Sequence, residues 1–474
     1  MMTSIRKWTL LGVTLALAGM VGCGDDDVDP GVDAGRDSGT EPDGGGTDTG
    51  TPEGDSGPDT DSGTPCEGET IMVSADITSD TTWLACNTYI LTAPVYVQDA
   101  VLTIEAGTEV RGMGGANALI ITTSGRLEAE GTAENPIVFT SAMPEGSRAP
   151  GQWGGVVLLG EAPINVPGGT NNIEGLDPGE ERGQYGGTDA AHDCGTLRYV
   201  RIEWAGFVFG TDNELNSLTL GGCGTGTTLE YIQTHAGSDD GIEFFGGTAS
   251  IKHAIVTQTG DDGLDWDQGW VGDAQFIVIQ QGPGVGDKGI EADGLEGNEM
   301  ATPRSNPRVY NLTIVGGGQM GQEGMRLRRG TFGTLGNAIV SNFGMGDCLE
   351  IETSETVRNA NAGNLVVRNS IVNGCVERSG MPSYVRISPT EGDAVTLTAD
   401  WASMNRFGTD PMLPAAATSV TAPSFVPPAG SPAAMMAATV PSGGIFEAAN
   451  YVGAFAPGGA NWLEGWTAFP VPAE

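Results

Sequence analysis

Two copies of an acid-acid-glycine motif, Asp239-Asp240-Gly241 and Asp261-Asp262-Gly263, stand 22 residues apart (261 − 239). Each runs into an apolar–acid–apolar alternation, Ile242-Glu243-Phe244 in the first and Leu264-Asp265-Trp266 in the second. Weaker copies occur at Asp287-Lys288-Gly289-Ile290-Glu291-Ala292, Glu323-Gly324-Met325-Arg326-Leu327-Arg328 and Asp347-Cys348-Leu349-Glu350-Ile351-Glu352. Aligned, they give a column of Glu243, Asp265, Glu291, Arg326 and Glu350, and a second of Phe245, Asp267, Asp293, Arg328 and Glu352. If the copies stack as neighbouring strands, like charges come within about 4.8 Å of each other. Carboxylates that close raise one another's pKa unless water screens them or a cation lies between them. Asp265, Asp267, Glu291 and Asp293 are therefore a candidate oxygen set for Ca2+, with Arg326 and Arg328 capping the acids. The competing reading is an exposed ladder of acids and arginines, worth little to stability.

The double acids themselves read as turn residues. Aspartate closes Asx-type turns, and the glycine after it is expected to supply a positive φ. A group that recurs in successive repeats marks the repeat rather than a reaction centre. Other chemistry is sparse. His192, His235 and His253 are scattered without metal-ligand spacing. No glycine loop leads into a helix to cradle phosphate, and no Gly-x-Ser-x-Gly is present.

Something must hold these columns in register. The residues flanking the acids alternate with them: Ile242, Leu264, Ile290, Met325 and Leu349, then Phe244, Trp266, Ala292, Leu327 and Ile351. Strand alternation turns both sets inward as stacked core columns, so Trp266 is core rather than a sugar platform. Short β-branched runs bounded by glycine, such as Val95–Val97, Val101–Ile104, Ala118–Ile121 and Ile137–Phe139, predict strands from about Glu69 onward. The 22-residue step is too short for a propeller blade. It predicts an all-β fold, a single right-handed parallel β-helix with two or three short strands per coil.

Composition narrows the setting. The chain has 474 residues, 61 acidic against 21 basic, and a formal net charge of −40. Such a surface repels nucleic acid and favours cations. Arg6 and Lys7, then the apolar run Trp8 to Val21, read as an export signal over residues 1–22. Met20-Val21-Gly22-Cys23 resembles a bacterial lipobox, which makes Cys23 the expected lipidated N-terminus. Gly24 after it points to the outer membrane, at the cell surface or on the periplasmic face. Residues 23–65, almost entirely Gly, Asp, Thr, Ser, Pro and Glu, predict a disordered acidic tether. The six remaining cysteines fall in sequence-local pairs, and an oxidising compartment makes Cys66–Cys86, Cys194–Cys223 and Cys348–Cys375 the simplest disulfides, other pairings staying open.

Several stretches carry a family resemblance: VLTIEAGT (101–108), LEAEGTAENPIVFTS (127–141), QWGGVVLLG (152–160) and LRYVRIE (197–203), with the double-acid repeats. With its closing YVGAF (451–455) and WLEGW (462–466), the chain resembles secreted or lipid-anchored right-handed β-helix proteins of Gram-negative bacteria, pectin-lyase-like in shape. That family has no agreed activity, so the resemblance implies architecture and address. β-helix polysaccharide lyases of the pectate type suggest one chemistry: Asp265, Asp267, Glu291 and Asp293 holding Ca2+ beside Arg326 or Arg328 as base. Hydrolysis by paired carboxylates is the other, although the Gly-His-Gly and Arg-Ile-Lys of polygalacturonases are absent.

The β-helix is expected over 66–380. The insertion Pro163 to His192 should protrude as a loop where Trp153, Tyr185, Trp204 and Phe207 either line a glycan groove or pack beneath it. Residues 381–474 should be a Pro/Ala-rich segment and an aromatic cap on the last coil. The resulting expectation is a monomeric cell-surface lipoprotein, joined to the membrane by its lipid, that binds an extracellular glycan or protein. A polysaccharide lyase or hydrolase and a purely structural envelope protein are the alternatives.

Overall fold

The computed structural model describes residues 68–176, 179–210, 213–378 and 384–472. The signal sequence, Cys23, the tether 23–65 and Cys66 lie outside the described residues. The described chain folds as a right-handed parallel β-helix. One face is a ten-stranded sheet, here sheet I, from Val95–Val97 through Ile242–Phe245, Leu264–Asp267 and Lys288–Ala292 to Val385–Ser388. A seventeen-stranded sheet, sheet II, wraps the other two sides. The coils continue past residue 380, because Val385–Ser388 and Arg406–Phe407 add the last parallel pairings. The Pro/Ala-rich composition there conceals them.

Sheet II turns its corner inside single strands. Thr228–His235, Ser250–Thr257, Asp273–Gln280 and Arg308–Val315 each bend at one left-handed residue: Tyr231, His253, Phe276 and Asn311, with φ of 56° to 58°. A non-glycine residue there costs about 1–3 kcal/mol. Stacking repays part of it: the ring centroids of Tyr231 and His253 lie 4.5 Å apart, and those of His253 and Phe276 4.9 Å.

In sheet I the expected register is present. Ile242 pairs with Leu264 and Phe244 with Trp266, and the columns continue through Ile290, Met325 and Leu349 and through Ala292, Leu327 and Ile351. All are essentially inaccessible. Each such large aliphatic contributes roughly 1.5–3 kcal/mol by burial. The motif glycines have a different task from the expected one. None of Gly241, Gly263, Gly289 and Gly324 adopts a left-handed φ. A Cβ on Gly263 would instead lie 2.5 Å from Ile279 Cγ2 and 2.7 Å from the carbonyl oxygen of Gly289. The coils stack too closely there for any side chain.

The insertion lies flat instead of protruding. Its Ile164, Ile173 and Tyr185 pack on the outward residues Tyr96, Ile120, Val157 and Phe245 of sheet I. Arg182 lies 3.7 Å over the Tyr96 ring and pairs with Asp76 and Glu180. Trp153, Trp204 and Tyr185 are buried, so they form no groove, and Phe207 is half-buried.

Trp401 covers the apolar end of the last coil, but most of the C-terminal segment runs back along sheet II as a strap. Side-chain amides on the sheet hold its backbone. Gln280 donates to Ala417 O and Ser419 O, Asn311 to Tyr451 O, and Gln233 to Ala468 O. Phe425, Phe455 and Trp466 are buried beneath it. Disulfides join Cys194 to Cys223 and Cys348 to Cys375. Cys86 is disulfide-bonded too, and its expected partner Cys66 lies outside the described residues.

Candidate functional site

The outward acids of sheet I are not an exposed ladder. Glu243, Glu291, Asp293 and Glu350 are buried, and Asp265 and Asp267 are half-buried. The double acids join them. Asp240 N–H donates to Asn216 Oδ1 at 3.2 Å, Asp262 N–H to Asp240 Oδ1 at 2.7 Å, and Lys288 N–H to Asp262 Oδ1 at 2.7 Å. Each carboxylate thus caps the backbone of the next coil instead of closing a turn within its own. This brings Asp240 and Asp262 beside the central column. Asp240, Glu243 and Asp265 offer oxygens within 4.8 Å of one another, as do Asp262, Asp265 and Glu291. The trios Asp239/Asp240/Asp261 and Asp261/Asp262/Asp287 extend the row along the turn.

The row has two electrostatically different halves. Towards the C-terminal coils the acids are paired. Lys288 Nζ lies 3.0 Å from Glu291 and 3.7 Å from Asp262. Arg328 binds Glu291 and Asp293, the latter at 2.8 Å, and Arg329 binds Asp293 at 2.7 Å. Towards the insertion they are not. Among the described residues no basic side chain forms an ion pair with Asp239, Asp240, Glu243, Asp265 or Asp267. Burial, then the neighbouring Asp261, Glu214 and Glu174, push Asp239 up to about 8. Burial first and neighbouring acids second hold Asp240, Glu243, Asp265 and Asp267 well above the usual carboxylate range. Asp293 is raised by burial only to about 6, because Arg328 opposes the shift.

Unsatisfied oxygens point the same way. Asp265 Oδ1 and Asp267 Oδ1 receive no hydrogen bond, nor does the buried hydroxyl of Thr219, whose strand partner is Glu243. Ca2+ takes roughly six to eight oxygens, carboxylates foremost, so such a cluster would supply part of its shell. The expected set of Asp265, Asp267, Glu291 and Asp293 does not come together as one group. The trio Asp240, Glu243 and Asp265, with Thr219 on the strand beside Glu243, is the candidate without a basic partner that is centred on Asp265. Asp265 stays at its centre, Glu291 shares the second trio, and Asp267 and Asp293 belong to none of the trios. The alignment of Asn216, Asp240, Asp262 and Lys288 carried the missed signal, two residues before the first core column.

Arg326 and Arg328 do not act together. Arg326 pairs with Glu323 at 2.8 and 3.0 Å, away from the Asp265 trios. Burial favours losing the proton from each, yet Glu323 for Arg326, and Asp293 with Glu291 for Arg328, outweigh it and raise both pKa values. A general base must give up its proton near working pH, so this environment opposes that role.

The family described as a pectate-lyase like beta helix domain matches residues 75–406. No curated protein and no solved structure matches the chain.

Proposed function

The chain belongs to the pectate-lyase-like β-helix family, and on that footing we propose that it is an exported, lipid-anchored ligand-binding protein whose acidic face takes up Ca2+. The observation that carries the cation reading is the pair of trios meeting at Asp265, one of them without a counter-charge. Half-buried acids left unpaired would hold protons at neutral pH, and a divalent ion replaces those protons. The address rests on the basic and apolar start, Cys23 and the acidic tether. A protein set off from the outer membrane on such a tether is placed to meet an extracellular glycan or protein. The cation reading is tested by melting the mature protein at pH 8 in Ca2+ and in EDTA. Saturation at a hundredfold excess over Kd should add about 2.7 kcal/mol. Identical melting in the two would remove the reading. Mass spectrometry should find a diacylglyceryl group on Cys23, and an unmodified cysteine there would remove the anchor.

Family membership keeps one enzymatic alternative in view, cleavage of an acidic polysaccharide. Polyuronates incubated with the protein and Ca2+ should yield no unsaturated product. Product that disappears in Arg328→Ala would favour the lyase instead.

A further inference from the structure

Oxidisable side chains are sorted by depth over the whole molecule. Every described cysteine is in a disulfide, and every described tryptophan except the half-buried Trp462 is buried. Methionine goes the other way. It fills gaps in cores and is among the residue types most often found inside. Here Met325 is the one methionine among the buried apolar residues. Nine of the fourteen large hydrophobic side chains left exposed are methionines, led by Met320 at 83%, Met345 at 68% and Met436 at 65%.

The backbone at these positions is fixed by other groups. In the turn that carries Met320, Gln322 Oε1 accepts from the Gly317 N–H at 3.0 Å. The Met345 turn stacks on it through Asn342 Nδ2, which donates to Gly316 O at 2.6 Å. Arg406 donates to Met435 O at 2.9 Å and Asn369 to Met436 O at 2.8 Å. Met412 N–H donates to Asp410 at 2.7 Å. Met412 and Met436 also have φ of 58° and 64°. That conformation costs a side chain about 1–3 kcal/mol, and glycine adopts it freely. At these two places a thioether is kept where it neither fills the core nor suits the backbone.

What an outward thioether can do is react. With hypochlorous acid an S–O bond forms and the O–Cl bond breaks, sulfur gives up two electrons, and chloride and a proton leave. The sulfoxide is polar, which disrupts a core but is harmless in water. Competing amines are scarce: the chain has three lysines, Lys7 in the expected export signal and Lys252 and Lys288 in ion pairs. We infer that the exposed methionines are an oxidant-quenching shell, which consumes hypohalous acid before it reaches the side chains that hold the β-helix together. The shell stands on neither the cation row nor the lipid anchor.

The test adds hypochlorous acid stepwise to the mature protein at neutral pH, with peptide mass mapping and a melting curve after each addition. Sulfoxide should accumulate first at the nine exposed methionines, with Met325 and the tryptophans unmodified and the melting temperature unchanged. A variant carrying Met320→Leu, Met345→Leu, Met435→Leu and Met436→Leu keeps the apolar bulk without the sulfur. Met300, whose sulfur Arg304 already engages, stays in place. The variant should start at the wild-type melting temperature and begin to lose it at about half the dose. Indole or Met325 products ahead of the exposed sulfoxides, early loss of melting temperature in the wild type, or equal resistance of the variant would overturn the inference.

Discussion

Asp265 sits where two of the acidic trios of the row meet, and burial together with Glu291 and Asp293 holds its carboxyl well above the usual range. Asp265→Asn removes its charge with little change of shape. The metal-free protein should gain about 1–3 kcal/mol at pH 8 and lose its calcium-dependent stabilisation, both read from melting curves in EDTA and Ca2+. Arg328→Ala should do the reverse, because it leaves Glu291 and Asp293 buried beside fewer cations. A loss of about 3–5 kcal/mol is expected in denaturant titration. Gly263→Ala tests the stacking of the coils. With 2.5 Å to Ile279 and 2.7 Å to the carbonyl of Gly289, a methyl group should cost about 1–3 kcal/mol or more. Were positive φ the reason for glycine, Gly263→Asn would be the gentler change. Here it should be the worse one, since it is larger.

At the scale of elements, the inward columns were legible because the recurring acid-glycine motif and the alternation after it encode them directly, even where loops lengthen the step. Ile242, Leu264 and Ile290 fall into register with no tertiary knowledge. What covers the outside of a solenoid has no period and was not legible. Ile164, Ile173 and Tyr185 look like ordinary loop residues until Tyr96, Ile120 and Val157 are seen as an apolar strip facing out. That cover reaches Phe245, beside the Glu243 end of the acid row, where the candidate ligand set moves towards Glu243 and Asp240. The strap was hidden for the same reason. Its anchors Gln233, Gln275, Gln280 and Asn311 are unremarkable alone and meaningful only as a line of amides along sheet II. Trp466→Ala should cost about 3–5 kcal/mol, read by denaturant titration, and should open the strap to proteolysis before the β-helix. Simultaneous cleavage of both would mean that the strap has no separate stability.

For the whole molecule, a net charge of −40 and a row of raised carboxylates predict an unusual pH response. A carboxylate whose pKa is higher folded than unfolded binds more protons in the folded state, so stability falls as pH rises between the two values. Asp239 at about 8 places that window across neutral pH. Burial lowers His235 to about 4. Its contribution therefore rises with pH up to its ordinary value near 6.5 and is flat above it. Between pH 6.5 and 8 only the acids should act. Metal-free protein should lose about 1 kcal/mol per titrating carboxylate over that range, and Ca2+ should abolish the loss. Stability that is flat or rises with pH in EDTA would show that the acids are already ionised and screened.

Replacement of protons by a cation on the row around Asp265 is tested most directly by titrating Ca2+ into metal-free mature protein calorimetrically at pH 7.5, in two buffers of different ionisation enthalpy. Saturable binding with proton release, seen as a buffer-dependent heat, is expected, with loss of both in Glu243→Gln and Asp265→Asn. Absence of binding, or binding that releases no protons and survives both substitutions, would contradict it.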